Sequence, residues 1–185
     1  MREEILSKCQ HHMERAVEEV KHTFSAVRAG KASPSILDPV RVDYYGTPTP
    51  LNQVANLSCP EPRLIVIQPW ERKLISTIEK AIQNADLNLN PSNDGMVVRV
   101  PLPELSEERR KELVKQVHKL AEEGRIAVRN VRRDANEQLK KALKAGEISE
   151  DDEKRAIKEV QDHTDAHIRR IDELTRVKET DIMAV

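Results

Sequence analysis

The chain is poor in most of the residues that build sandwiches, barrels or disulfide-stapled folds. Of its 185 residues only Phe24, Tyr44, Tyr45 and Trp70 are aromatic, while 34% are charged. That balance belongs to long amphipathic helices rather than to an all-β fold. Two cysteines, Cys9 and Cys59, are too few for a disulfide framework and lack metal-ligand spacing. Cys9 lies on an apolar helical stripe and reads as a reduced core thiol. Five scattered glycines leave no phosphate-cradling loop, and neither a nucleophile elbow nor a zinc-protease motif occurs. No apolar run reaches the length of a membrane span, and the N-terminus MREEIL carries acids instead of a targeting pattern. A cytosolic protein without a membrane partner is expected. Proline is also missing, except in one window: all ten fall between Pro34 and Pro103.

What is present is helix. From Ser106 to Gly146 the chain has no proline and one interior glycine, Gly124. Leu113, Val117, Leu120, Val128, Val131, Ala135, Leu139 and Leu143 recur in steps of mostly three or four, the mark of one buried stripe. At 1.5 Å per residue this rod spans roughly 60 Å. Ser106 is expected to cap it, with Glu107 and Glu108 in its first turn. A similar stripe, Leu6, Cys9, Met13, Val17, Val20, Phe24 and Val27, predicts a first helix from Arg2 to about Arg28, closed by Ala29-Gly30 and Ser33-Pro34. A third, capped by Ser149 with acids behind it, follows Ile157, Val160, Thr164, Ile168, Ile171, Leu174 and Val177. The short turn at Gly146 forces antiparallel packing.

Residues 30–104 have a different texture. Val40, Val42 and Tyr44 alternate with polar neighbours as a strand does. GTPTPL, from Gly46 to Leu51, is expected to be a turn and extended connection, since proline bars a helix and removes a donor. Gln53–Cys59 is a second candidate strand, Cys59–Pro62 a turn, and Leu64–Ile67 a buried strand. Leu74 to Ala85 predicts a helix of about four turns. Asn90–Gly95 reads as turn, and Met96–Val100 as the last strand. The fold class is therefore α+β. An elongated antiparallel three-helix bundle (1–29 and 105–185) carries a small inserted β/α/β domain (30–104). The two connections, at 30–31 and 103–105, form a narrow neck, so Gly30, Lys31, Pro103 and Glu104 are hinge candidates.

Net charge is −1, but its distribution is uneven. Segment 105–148 carries twelve basic against eight acidic residues, and 149–185 seven against eleven. Arg125, Arg129, Arg132, Arg133 and Lys140 fall beside the apolar stripe of the long helix, with only Glu122, Asp134 and Glu137 at spacings that could neutralise them. Helical charge is usually a solvated, salt-bridged face, and Glu14/Glu18/Lys21 and Glu108/Glu112/Lys115 fit that reading. The arginine edge fits it less well. Arginine forks suit phosphate, and without nearby aromatics the contacts would go to backbone phosphates and shape rather than to stacked bases. His163 and His167 stand four apart but lack a third metal ligand, and read as a polar helix flank; His11 and His12 read as rim residues. No catalytic constellation and no cofactor site emerge, so a non-enzymatic protein is expected. A helical scaffold or chaperone-like adaptor, holding protein partners on apolar seams, is the competing reading.

Several segments resemble the ribosome recycling factor family. They are Arg28-Ala29-Gly30-Lys31-Ala32-Ser33-Pro34, Tyr44-Tyr45-Gly46-Thr47-Pro48-Thr49-Pro50-Leu51, Arg99-Val100-Pro101-Leu102-Pro103, Glu107-Glu108-Arg109-Arg110, Val128 to Asn136, and Glu147 to Asp152. Together they span essentially the whole chain. The resemblance implies an L-shaped monomer whose bundle mimics tRNA and lies on large-subunit ribosomal RNA. It also implies that the smaller domain contacts GTP-bound elongation factor G, and that the pair splits post-termination ribosomes and releases mRNA and tRNA. Carried over to this chain, the RNA contacts are Arg110, Arg129, Arg132 and Arg133, with Arg132 foremost. Arg28, Lys31 and Arg125 are possible additional RNA or neck contacts. Lys31 stands where the family more often has arginine, and Trp70-Glu71-Arg72 and Cys59–Pro62 depart from the family's pattern.

Overall fold

A computed structural model describes residues 1–27 and 30–184. It divides into two compact units, one from residues 1–29 and 107–185 and the other from 30–106.

The first unit is three helices: α1 (Arg2–Ala26), α3 (Glu107–Lys144) and α4 (Glu150–Met183). Each packs against the other two. Glu14 of α1 pairs with Arg170 of α4, and Arg2 with Glu159, so these two helices run in step. The α3 helix runs against both. Gly146 and Glu147 close its last turn by donating N–H groups to the carbonyls of Leu143 and Ala142 at 3.0 and 2.9 Å. Ser149 then opens α4 with a capping box: its hydroxyl accepts from the Asp152 N–H at 3.1 Å, and the Asp152 carboxylate accepts in return.

The buried line of the bundle differs from the one drawn through the large apolar residues. On α4 it runs Ala156, Val160, Thr164, His167, Ile171, Thr175 and Ile182, while Ile157 and Val177 are exposed. On α3 Ala121, Gly124 and Ala142 lie on the line, and Leu120, Val131 and Leu143 only flank it. The reason is close helix approach. A Cβ on Gly124 would stand 2.3 Å from Val20 Cγ2, so only glycine lets α1 and α3 meet there. Thr164 and Thr175 are tolerated inside because each hydroxyl donates to the carbonyl four residues back, at 2.7 Å. His167 is likewise interior, not a polar flank as expected. Its Nδ1 lies 2.6 Å from the His163 carbonyl, and its Nε2 is buried 3.4 Å from the Glu14 carboxylate, too poorly aligned for a hydrogen bond. Among the described residues no group of three or more metal-ligating side chains occurs.

The second unit holds two antiparallel sheets and one helix. Strands β1 (Arg41–Tyr44) and β2 (Thr47–Pro50) form a hairpin. The other sheet has the order β3-β4-β6-β5, built from β3 (Ala55–Glu61), β4 (Leu64–Pro69), β5 (Ser92–Asn93) and β6 (Val98–Pro101). The TPTP segment is thus a strand rather than an extended connection. The two-residue turn at Tyr45-Gly46 makes Tyr44/Thr47 and Val42/Thr49 the hydrogen-bonded pairs, so Pro48 and Pro50 fall at positions where an N–H would point away from the partner. Their missing donors cost the ladder nothing. Similarly, β3 continues through Cys59-Pro60-Glu61 with a register shift, and the turn is at Pro62-Arg63. Asn90–Gly95 is only partly turn, since Ser92 and Asn93 pair with Arg99 and Val98. The helix α2 (Ile75–Gln83) is nine residues, shorter than the periodicity suggested; a single 3₁₀ turn precedes it, and left-handed Asp86 and Asn88 follow. Its Ile75, Ile78 and Ile82 close a core with Val42, Ile65, Ile67, Val98 and Val100.

Candidate nucleic-acid interface

The basic edge lies on the side of α3 that faces α4. Residues equidistant from the Gly146–Ser149 turn meet across this seam: His118 with Glu179, Arg125 with Asp172, Arg132 with Gln161. The four arginines at 125, 129, 132 and 133 therefore share a flank but not an environment.

Arg125 belongs to the seam. Its side chain is only 19% exposed and its fork is filled, with Nε donating to Asp172 at 2.9 Å and Nη1 to Glu122 at 3.1 Å. Burial works to lower its pKa, but the hydrogen bonds to Asp172 and Glu122 outweigh it and the pKa is raised. The guanidinium ties α3 to α4. Asp172 was invisible to local spacing because it stands 47 residues away along the chain. Arg129 shares Glu122 with Arg125, at 3.1 Å, and the two hydrogen bonds, Arg125 first, hold the Glu122 carboxyl below its ordinary range.

Further along the edge the carboxylates run out. Among the described residues Arg132 reaches no carboxylate; its Nη1 donates to the Gln161 side chain at 3.4 Å, and Gln161 in turn donates to Asp165 at 2.9 Å. Arg133 is exposed and Arg110, in the first turn of α3, is half-buried; among the described residues neither has an ion-pair partner. Arg28 lies outside the described residues.

The neck candidates sit in the second unit. Gly30 adopts a left-handed backbone, and a Cβ there would touch Leu105 Cδ1 at 3.0 Å. Lys31, Pro103 and Glu104 are exposed. Both connecting segments are stitched to the β3–β4 turn: Ala32 N–H donates to the Pro62 carbonyl at 2.6 Å and Leu102 N–H to the Arg63 carbonyl at 2.7 Å, while the Arg63 side chain pairs with Glu104.

A three-helix bundle with a carboxylate-poor arginine edge, interrupted by a small β-rich unit, defines the class of two-unit α+β proteins to which this chain is assigned. The family model for ribosome recycling factor matches residues 20–183. Curated ribosome-recycling factors are similar over nearly the full length. That of Syntrophomonas wolfei is 51% identical with all of both chains covered, and that of Bacillus thuringiensis 53% with the same coverage. That of Caldicellulosiruptor saccharolyticus is 55% identical over 94% of each. A solution structure of ribosome recycling factor aligns with a TM-score of 0.73 at 43% identity, covering 100% of this chain and 98% of the other. A second solved structure contains models of the T. thermophilus ribosome recycling factor and the E. coli elongation factor G bound to the E. coli post-termination complex. It aligns with a TM-score of 0.62 at 43% identity, covering both chains fully. The chain belongs to the ribosome recycling factor family. No helix among the described residues is long and apolar enough to cross a membrane.

Proposed function

We propose that this protein recycles ribosomes after termination. It binds large-subunit ribosomal RNA through the arginine edge of α3 and, with elongation factor G and GTP, separates the subunits and frees mRNA and tRNA. The observation that carries the RNA contact is the pair Arg132 and Arg133, cations on a 38-residue helix with no carboxylate in ion-pair reach among the described residues. Uncompensated guanidinium forks are what a phosphate backbone recognises. Arg129 and Arg110 extend the contact, and Lys31 is positioned at its neck.

The second unit meets elongation factor G, whose relative in the post-termination complex accompanies a protein 43% identical to this one. The segments around Gly30, Lys31, Pro103 and Glu104 act as the hinge by which the bundle is loaded against the ribosome. The stitching at Ala32 and Leu102 fixes the ends of these segments that adjoin the sheet. The protein is a cytoplasmic monomer, uses no cofactor and hydrolyses no nucleotide itself; the GTPase supplies the free energy.

The test is a subunit-splitting assay on post-termination ribosomes with and without elongation factor G and GTP. Splitting only with all three components, and large-subunit binding that falls steeply with salt, is the expected result. Salt-independent binding would favour an apolar scaffold and overturn the RNA contact.

A further inference from the structure

The seam between α3 and α4 repeats every seven residues. His118 meets Glu179 and Arg125 meets Asp172, so seven steps forward on α3 match seven steps back on α4. A heptad drifts by only about 20° around a straight helix, so the next pair falls on the same flank. That pair is Arg132 and Asp165. The core keeps the same step: Ala121, Val128 and Ala135 on α3, and Ile171 and Thr164 on α4, are all buried. Arg132 stands four residues after Val128 as Arg125 does after Ala121, and Asp165 follows Thr164 as Asp172 follows Ile171. The register therefore offers Arg132 the partner that Arg125 has.

That ion pair is not formed among the described residues. Arg132 Nη1 instead donates to Gln161 Oε1 at 3.4 Å, a long hydrogen bond, and Gln161 Nε2 donates to Asp165 Oδ1 at 2.9 Å. Gln161 lies four residues before Asp165 on α4, the spacing at which two side chains on a helix surface meet. A primary amide has one donor end and one acceptor end. With its nitrogen committed to Asp165, Gln161 presents its oxygen to the guanidinium. Arg125 has no such intermediary: Asp172 and Glu122 fill its fork directly.

We infer that Gln161 is a positioning residue for the RNA contact. It engages Asp165 and stands between that carboxylate and Arg132, so the guanidinium is oriented without being neutralised. The inference rests on the function proposed above, which gives Arg132 to ribosomal phosphate. An arginine closed on a carboxylate must break a charge-assisted pair before it meets a phosphate, whereas a long contact to a neutral amide oxygen is weaker and released more readily. Alanine at 161 removes the spacer and leaves Asp165 able to close on Arg132 as Asp172 closes on Arg125. The same heptad thus serves two ends: the rung at Arg125 fastens the helices, and the rung at Arg132 is kept open for a ligand.

The experiment uses the full-length chain with Gln161→Ala, Asp165→Asn, the double variant and Arg132→Ala, each titrated against purified large ribosomal subunits. Gln161 is exposed and alanine favours helix, so the bundle persists. Gln161→Ala is expected to weaken binding about two- to fivefold, the scale of an exposed ion pair that must be broken. Adding Asp165→Asn to Gln161→Ala restores most of the loss, and this gain exceeds the gain from Asp165→Asn in the wild-type chain. Removal of a negative charge acting only at long range would give equal gains in both backgrounds and overturns the proposal. Wild-type affinity in Gln161→Ala, with Arg132→Ala still weakened, also overturns it while the RNA contact stands. If Arg132→Ala binds as tightly as wild type, the RNA contact itself fails. Thermal unfolding then still reads the spacer through a double-mutant cycle between positions 132 and 165. A larger coupling in the Gln161→Ala background than in wild type supports the spacer, and an equal coupling overturns it.

Discussion

The two units of this protein solve the burial problem with opposite materials. The bundle draws its charged helices together on small residues, with Gly124, Ala121 and Ala156 letting backbones approach. The inserted unit uses β-branched bulk, with Ile65, Ile67 and Ile78 fully buried between sheet and helix. Their surfaces differ accordingly. On the bundle, Arg133 is exposed without an ion-pair partner among the described residues, whereas the inserted unit exposes Tyr45, Trp70 and Met96.

The largest effects should come from breaking the two cores separately. Ile78→Ala removes a fully buried side chain from the inserted unit and is expected to cost about 2–5 kcal/mol in denaturant or thermal unfolding. The loss should be confined to that unit, with amide-exchange protection of α1, α3 and α4 retained; simultaneous melting of both would show a single cooperative body. Gly124→Val does the converse. Its Cβ alone would stand 2.3 Å from Val20 Cγ2, so α1 and α3 must separate, at roughly 1–3 kcal/mol or somewhat more. A variant as stable as wild type would contradict the close approach.

Within the basic edge the comparison becomes sharper. Arg125→Ala leaves Asp172 without its guanidinium partner and should lower the melting temperature of the bundle. Arg132→Ala removes no ion pair and should leave it unchanged, while weakening large-subunit binding by about 1–3 kcal/mol. If Arg132→Ala is instead the destabilised variant, the division of labour along α3 is wrong.

How much of this was legible in the chain follows from where the information sits. Helix existence was local: the stripes, the Ser149 cap and the Gly146 stop each lie within a few residues. Which residues of a stripe are innermost was not, because Ala121, Gly124, Ala156 and His167 are chosen by the distance to another helix. The TPTP strand was hidden because proline argues against pairing unless the register is known, and the register depends on a turn built on Tyr45 in an unfavourable conformation. Of the basic edge, its location was readable and its internal difference was not. Glu122, three residues from Arg125, was readable, but Asp172 and Gln161, which complete the difference between Arg125 and Arg132, stand far along the chain. Yet the tight turn at Gly146 contained the clue, since it fixes which residues of α3 and α4 face each other.

The smallest expected effect concerns acid stability, where the units again part. Glu14 is held below the ordinary glutamate range, first by its hydrogen bond from Arg170 and also by His167, against the opposing effect of burial. Because its pKa is lower folded than unfolded, its stabilisation is complete above the unfolded value. It is lost as pH falls through the folded one. Glu122 behaves the same way through Arg125 and Arg129. Both carboxylates are in the bundle, whereas the inserted unit depends on Asp94 and Glu71, each held low by its own loop or side-chain donors. Glu14→Gln should therefore flatten the acid side of the bundle's stability profile slightly while leaving the inserted unit's profile unchanged. Separate probes report the two: Trp70 fluorescence for the inserted unit, and far-ultraviolet circular dichroism, dominated by α1, α3 and α4, for the bundle. An equal change in both signals would mean that the acid transition couples the units, so Glu14 could not be acting through Arg170 alone.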